Sequence, residues 1–140
     1  MVKKIASIVL FTILIVSLSF NVNAAMPDNG IIEPLWLNIS SITESFAFNG
    51  TRGIASAAIV GKSGTTYIEC TTTVYKQIGS AWSFVNSDTD YANSSVLLAS
   101  IDVTGDASGY YKAVYNISVT RNGVTETEST TAYASVSPNP

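Results

Sequence analysis

The sequence predicts an all-β domain, an antiparallel sandwich of about seven strands in two sheets. Runs rich in β-branched and aromatic residues alternate with Gly, Asn, Ser and Asp turns, roughly every 8 to 14 residues. No stretch after the N-terminal region shows the 3.6-residue period of an amphipathic helix. The pair Asn122-Gly123 separates two such runs and is the strongest short-range signal for a β-hairpin.

The N-terminal stretch is typical of a secretory signal peptide. Lys3 and Lys4 precede an uncharged run over 5–20, which at 16 residues is shorter than the roughly 20 that a spanning helix needs. Val22 and Ala24 occupy the −3 and −1 positions of a cleavage site. We therefore expect a signal peptide over 1–24 and a secreted, extracellular chain without membrane contact after cleavage. An uncleaved membrane anchor is the alternative.

The remaining chain has the length of one domain. We predict a flexible leader over 25–34, a β-sandwich over 35–136 and a tail over 137–140, with Pro34 marking an edge strand or a loop. A chain of this size buries about two-thirds of its unfolded surface, which is enough to fold without disulfides. The predicted strands are 42–48, 54–60, 65–78, 81–86, 96–103, 110–120 and 124–133, with a loop at 87–90.

Alternation defines the core face of two strands. Ile68, Cys70, Thr72 and Val74 share one face of the third strand. In the sixth strand, alternate residues again point to one side, with polar residues between them. The core residues predicted there are Tyr111, Ala113, Tyr115, Ile117 and Val119.

The register of the last hairpin depends on its loop. A two-residue loop would turn Glu126 and Glu128 toward the apolar face, and an unpaired buried carboxylate is very costly. A three-residue loop with a bulge at Gly123 shifts the last strand by one residue, which exposes both carboxylates and turns Tyr133 inward. We therefore expect the three-residue loop.

Two resemblances refine the fold. The segment 106–113, Asp-Ala-Ser-Gly-Tyr-Tyr-Lys-Ala, resembles the entry to the F strand of an immunoglobulin domain. Its Asp stands one residue early, and Ala113 replaces the disulfide Cys. The resemblance implies an immunoglobulin-like or fibronectin-III-like sandwich without a disulfide, in which Tyr111 forms a tyrosine corner.

The second resemblance covers about 41–135. The segments 59–66, 73–76, 109–112 and 120–127, together with Trp82, resemble a group of small secreted β-sandwich proteins of Gram-positive gut bacteria. That group has no known function, and the shared segments are turns and strand ends. The resemblance therefore implies no functional residues.

Composition restricts the chemistry. The sequence has no His, and beyond residue 24 five basic residues face ten acidic ones. This argues against nucleic acid and anionic membranes as partners, and against histidine-based catalysis. Cys70 is the single Cys, so we expect a small buried hydrophobe. An intermolecular disulfide and a catalytic thiol are the alternatives, and we expect no cofactor.

Two sets of carboxylates are candidates for chemistry. Glu126 and Glu128, two residues apart on a strand, have the spacing of an inverting glycosidase pair, but nothing in the sequence would raise one pKa, and a solvated strand face is the preferred explanation. Asp88 and Asp90 could supply oxygen ligands for Ca²⁺ together with Asp102 or Asp106, but the spacing is not that of an EF-hand.

The aromatic residues offer a candidate ligand platform. Trp82 follows the turn at 79–80, and if Phe84 points inward then Trp82 does too. If both are exposed, Trp82 can stack on a sugar ring together with Tyr75 or Tyr91. Trp36, in the irregular N-terminal stretch, completes the candidates.

These observations favour a secreted, non-enzymatic sandwich that binds an extracellular ligand: a glycan, a peptide or a host protein. The alternative is a structural component of the envelope or matrix that forms a homo-oligomer through edge strands such as 125–133. A glycosidase that uses carboxylates alone is the third hypothesis.

Overall fold

The computed structural model describes residues 35–137, so the predicted signal peptide, leader and most of the tail lie outside the described residues. No helix long and apolar enough to cross a membrane is present in this part of the chain. The strands are β1 (Ile39–Asn49), β2 (Arg52–Gly61), β3 (Thr65–Ile78), β4 (Ala81–Ala92), β5 (Val96–Thr104), β6 (Tyr110–Arg121) and β7 (Val124–Ser135).

The strands form two antiparallel sheets, which confirms the predicted sandwich. The three-stranded sheet has the order β1-β2-β5, and the four-stranded sheet has the order β4-β3-β6-β7. The fourth strand joins β3 rather than the sheet of β1 and β2, which distinguishes this order from a constant immunoglobulin domain. It corresponds to the fibronectin-III-like form of the predicted fold. Cys70 is a free thiol, so no described residue forms a disulfide.

The core lies between the two sheets and follows the predicted alternation. Small residues on β2 allow the sheets to approach closely, and large residues on β3 and β6 fill the space opposite them. The buried positions of the four-stranded sheet include Ile68, Cys70, Thr72, Val74, Tyr111, Ala113, Tyr115, Ile117 and Val119.

Two buried tyrosines tie the core to the backbone. The Tyr115 hydroxyl donates a hydrogen bond to the Ser45 carbonyl of the opposite sheet at 2.8 Å. The Tyr111 hydroxyl accepts one from the Asp106 backbone N–H, five residues upstream, also at 2.8 Å. The second contact is the tyrosine corner that the immunoglobulin resemblance implied. Gly109 is needed beside it, because a Cβ there would lie 2.5 Å from the Tyr111 ring.

The structure contradicts the three-residue loop predicted for the last hairpin. Arg121 pairs with Val124, so the loop consists of Asn122 and Gly123 alone. Both residues have positive φ, 52° and 76°, as a type I′ turn requires. The twist of this turn matches that of the flanking strands, and it sets the register.

The register prediction failed because it treated the two carboxylates as unpaired. In the observed register Tyr133 points outward and is 55% exposed, whereas Glu126 and Glu128 turn toward the inner side of β7. β7 is an edge strand, so its inner side is only partly covered. There the carboxylates find hydrogen-bond donors, and the expected burial cost does not arise.

The predicted loop at 87–90 is also wrong, because β4 runs through it. Ser87 pairs with Thr73 and Thr89 with Thr71. Their side-chain hydroxyls form hydrogen bonds of 2.9 and 2.8 Å across the strands, a pairing that stabilises sheets. The polar composition of this segment reflects the edge position of β4, where both faces meet solvent.

Candidate ligand-binding face

The outer face of the four-stranded sheet carries most of the exposed aromatic side chains of β3, β4, β6 and β7. The registers align Phe84, Tyr75, Lys112 and Tyr133 in one row that crosses all four strands. Trp82 and Tyr110 extend the row toward one end of the sheet. We call Tyr75, Trp82, Phe84, Tyr110 and Tyr133 the aromatic cluster.

The rings of the aromatic cluster contact one another. Trp82 lies 5.9 Å from Tyr110 and 6.1 Å from Tyr133, measured between ring centroids. Tyr110 and Tyr133 stack at 5.9 Å with an interplanar angle of 11°. Such pairs contribute about 0.5–1.5 kcal/mol each beyond burial. The cluster is therefore ordered without a ligand, yet Phe84 remains 63% exposed.

Lys112 lies at the centre of the aromatic cluster. Its ammonium group is 4.6 Å from the centroid of Trp82 and 5.3 Å from that of Tyr75. Both distances permit a cation–π interaction. The ammonium is therefore held near the rings, with its remaining N–H donors available to a ligand.

A polar surface continues from the aromatic cluster along the same face. It contains hydroxyl and amide side chains and includes a shallow depression of about 450 Å³ between β3, β6 and β7. Hydroxyl and amide groups donate and accept hydrogen bonds without a fixed charge. The residues that line the depression include Thr71, Asn116, Ser118, Thr127 and Ser129, together with the acidic residues Glu69 and Glu128.

The opposite end of the face has a smaller aromatic pair. Tyr67 and Tyr91 stack at 6.2 Å, and the Tyr67 hydroxyl donates a hydrogen bond to Glu69 at 2.8 Å. This hydrogen bond, more than any other cause, raises the pKa of Tyr67. Tyr67 therefore stays protonated and keeps the Glu69 carboxylate in place.

The structure brings two of the four predicted platform residues together. Trp82 and Tyr75 both face outward and meet at Lys112, and Phe84 is exposed rather than buried. Tyr91 lies at the far end of the same face, beside Glu69. Trp36 does not belong to the face.

Sequence reasoning missed Lys112, Tyr110 and Tyr133. Alternation in β6 already placed Tyr110 and Lys112 opposite the core residues, which was a usable signal. Tyr133 was missed because the wrong hairpin register turned it inward.

Trp36 and the two carboxylates of β7 form a separate, structural site, the carboxylate clasp. Glu126 accepts hydrogen bonds from the backbone N–H groups of Leu37, Asn38 and Ile39 at 2.9, 2.6 and 3.0 Å. Glu128 accepts one from the Trp36 indole N–H at 3.2 Å. The clasp connects residues 36–39, which lead into β1, to β7 of the other sheet.

The electrostatics of the clasp favour an ionised Glu126. Burial raises the pKa of Glu126, but the three backbone donors and nearby Lys62 outweigh burial and hold the pKa below its ordinary value. A general acid in a glycosidase needs the opposite shift. Glu126 therefore lacks the raised pKa that the general acid of the glycosidase hypothesis requires.

The four aspartates proposed as Ca²⁺ ligands do not converge. Asp102 pairs with Arg52 at 2.9 Å, and Asp106 pairs with Lys76. Asp90 accepts a hydrogen bond from the Ser100 backbone N–H at 3.0 Å, across the seam between β4 and β5. Within 35–137 no group of three acidic or thiol side chains has the geometry to hold a metal ion.

Cys70 is fully buried, as predicted. Its sulfur lies 3.8 Å from the Thr72 hydroxyl. Burial raises the pKa of the Cys70 thiol, so the reactive thiolate is disfavoured. This environment suits the expected small hydrophobe.

Comparisons with known proteins do not identify a family. No family model and no curated protein matches the chain. Two solved structures of Parabacteroides merdae β-glucuronidase, one with glycerol in its active site, resemble part of it with a TM-score of 0.45 and 15% identity. Each match covers 69% of this chain and 13% of the enzyme chain. A likeness of this extent to a bacterial protein carries no functional argument.

Proposed function

We propose that this protein is a secreted, non-enzymatic module that binds extracellular glycans on the outer face of its four-stranded sheet. The observation that carries the proposal is the aromatic cluster, which remains exposed on a rigid sheet. Phe84 is 63% exposed and Tyr133 55% exposed, and a contiguous exposed apolar patch is typical of an interaction site.

The chemistry of the face suits a sugar better than an apolar peptide. Aromatic faces carry negative charge density and attract the weakly positive C–H groups on one side of a pyranose ring. Side chains of the adjoining depression, such as Asn116 and Ser118, offer the donors and acceptors that sugar hydroxyls need. An apolar partner would leave these polar groups unpaired, at a cost in free energy.

The position of the other candidate groups supports binding without catalysis. The carboxylates of Glu126 and Glu128 accept hydrogen bonds from residues 36–39. Both side chains lie on the opposite side of β7 from Tyr133 and the aromatic cluster. Cys70 is buried in the core. A ligand on the aromatic cluster therefore meets neither Glu126 nor Cys70, whereas Glu128 lines the adjoining depression.

A glycan array followed by calorimetry tests the proposal. We expect the purified protein to bind a subset of oligosaccharides, and Tyr133→Ala and Trp82→Ala to weaken this binding at least tenfold. Tyr133→Ala is the more informative variant because its ring is largely exposed and its loss leaves the core intact. Leu98→Ala removes a comparably exposed apolar side chain from the other sheet and should leave binding unchanged.

Three results would overturn the proposal. The first is the absence of binding to any glycan, and the second is binding that Tyr133→Ala leaves intact. The third is release of reducing sugar from a bound oligosaccharide, abolished by Glu126→Gln or Glu128→Gln, which would restore the glycosidase hypothesis. Sedimentation at increasing concentration tests the self-associating alternative independently, because that alternative requires the sedimentation coefficient to rise without glycan.

A further inference from the structure

Lys112 differs from the other cationic side chains of the described residues. Arg52 and Lys76 pair with aspartates, while Lys62 and Arg121 donate to backbone carbonyls. Within 35–137, the Lys112 side chain has neither a salt bridge nor a hydrogen bond, and its ammonium group lies over the rings of Trp82 and Tyr75.

No described acidic group compensates the Lys112 charge on this face. Its neighbours along β6 are Tyr110 and Val114, and its partners on β3 and β7 are Tyr75 and Tyr133, none of which is acidic. Two acidic residues line the depression on this face, Glu69 and Glu128. Glu69 pairs with Ser118 and Glu128 with Ile117, six and five residues along β6 from Lys112, or about 20 and 17 Å. Both separations exceed the Debye length of about 8–10 Å in physiological salt.

The aromatic cluster therefore presents a positive charge on a chain with twice as many acidic as basic residues beyond residue 24. The rings hold the ammonium in place and reduce the entropy lost when it binds a partner. An ammonium keeps its attraction to a ring face while its N–H groups donate to an anion. The group that fits this position is an anion attached to a sugar that stacks on the rings.

We propose that the face selects glycans that carry an anionic substituent, a carboxylate or a sulfate, and that Lys112 binds this substituent. The inference rests on the proposed glycan-binding function and adds its charge specificity. Stacking on the aromatic cluster supplies affinity for the sugar ring, and Lys112 discriminates between acidic and neutral sugars.

Paired probes test the inference. One pair is oligogalacturonate and the same oligosaccharide with its carboxyl groups methyl-esterified. The other pair is a sulfated galactan oligosaccharide and its desulfated form. In at least one pair the purified protein should bind the charged member roughly tenfold more tightly, because hydrogen bonds to charged groups are the stronger ones. The pair that shows the difference identifies the substituent.

Charge variants assign the preference to Lys112. Lys112→Gln should reduce affinity for the charged probe to that of its neutral partner, while affinity for the neutral probe stays within about twofold. Lys112→Arg should retain the preference. Arg52→Gln removes the same charge from an exposed pair on the other sheet and should change neither affinity.

The outcomes separate the inference from the proposed function. Equal binding of charged and neutral probes, with Tyr133→Ala weakening both, would overturn the charge specificity and leave glycan binding intact. Binding of no probe and no array glycan would overturn both. Binding of oligoglutamate as tight as that of the charged sugar, and lost in Lys112→Gln, would show that a peptide carboxylate is the ligand and overturn the inference.

Discussion

The carboxylate of Glu126 accepts a hydrogen bond of 2.6 Å from the backbone N–H of Asn38, although 88 residues separate them in the chain. The same carboxylate also accepts from Leu37 and Ile39. One side chain of β7 thus accepts hydrogen bonds from three consecutive N–H groups, two just before β1 and one at its first residue. These hydrogen bonds connect β1, in one sheet, to β7, in the other.

Replacement of Glu126 should destabilise the fold. Glu126→Gln keeps the shape but replaces one acceptor oxygen with an NH₂ group that faces backbone donors. Two of the three donors are partly buried, and an unsatisfied buried donor costs about 1–3 kcal/mol. We expect the free energy of unfolding in urea to fall by an amount in that range.

Asp88→Asn is the matched control for Glu126→Gln. Asp88 is exposed and accepts only from the neighbouring Thr89 N–H, so stability should change by no more than about 0.5 kcal/mol. Equal losses in the two variants would show that the clasp contributes no more than an ordinary surface carboxylate.

The clasp should also make stability depend on pH. The pKa of Glu126 is lower in the folded protein than its ordinary value of 4.5, so the unfolded chain binds the proton more readily. The stabilisation is present above pH 4.5 and is lost as the pH falls through the lower folded value. Urea unfolding from pH 7 to pH 3 should therefore show the wild type and Glu126→Gln converging below pH 4.5. A constant difference across this range would contradict ionisation as its source.

The Asn-Gly turn should be sensitive to a side chain at Gly123. Its φ of 76° is left-handed, and an L-residue there costs roughly 1–2 kcal/mol. We expect Gly123→Ala to lower the free energy of unfolding by this amount. Ser80→Ala is the control, because Ser80 occupies the second loop position of the β3–β4 hairpin without a positive φ. A neutral Gly123→Ala would mean that the loop relaxes to another turn.

The tyrosine corner can be tested through a single hydroxyl. Tyr111→Phe keeps the buried ring and removes the acceptor for the Asp106 N–H, which should cost about 0.5–1.5 kcal/mol in thermal or urea unfolding. Tyr91→Phe removes a hydroxyl from a ring that is 66% exposed and should have little effect. If both variants match the wild type, the corner hydrogen bond makes no net contribution.

Local patterns predicted the parts of the fold that depend on a strand and its own two faces. Alternation placed Tyr115 and Ile117 in the core, and both are buried. It also placed Lys112 on the outer side of β6, although its role was not noticed. These predictions succeeded because successive side chains of a strand point to opposite faces whatever the strand pairs with.

The errors concern residues whose environment another strand supplies. The 87–90 segment looked like a loop because its pairing with β3 was not visible in its composition. Glu126 and Glu128 looked costly to bury because their donors, 36–39, lie about ninety residues away. Burial cost was therefore the wrong criterion for the hairpin, and the local turn preference of Asn122-Gly123 was the right one.

The sequence by itself determined the fold class, the core face of the central strands and the absence of a disulfide among the described residues, because these follow from residue type and period. Only the tertiary structure decided that Phe84, Tyr75, Lys112 and Tyr133 form one row. Tyr75 pairs with Lys112, 37 positions later in the chain, and no local preference encodes such a register. The physical reason is that a sheet face is assembled by hydrogen bonds between strands, whereas a sequence pattern reports only on the strand that contains it.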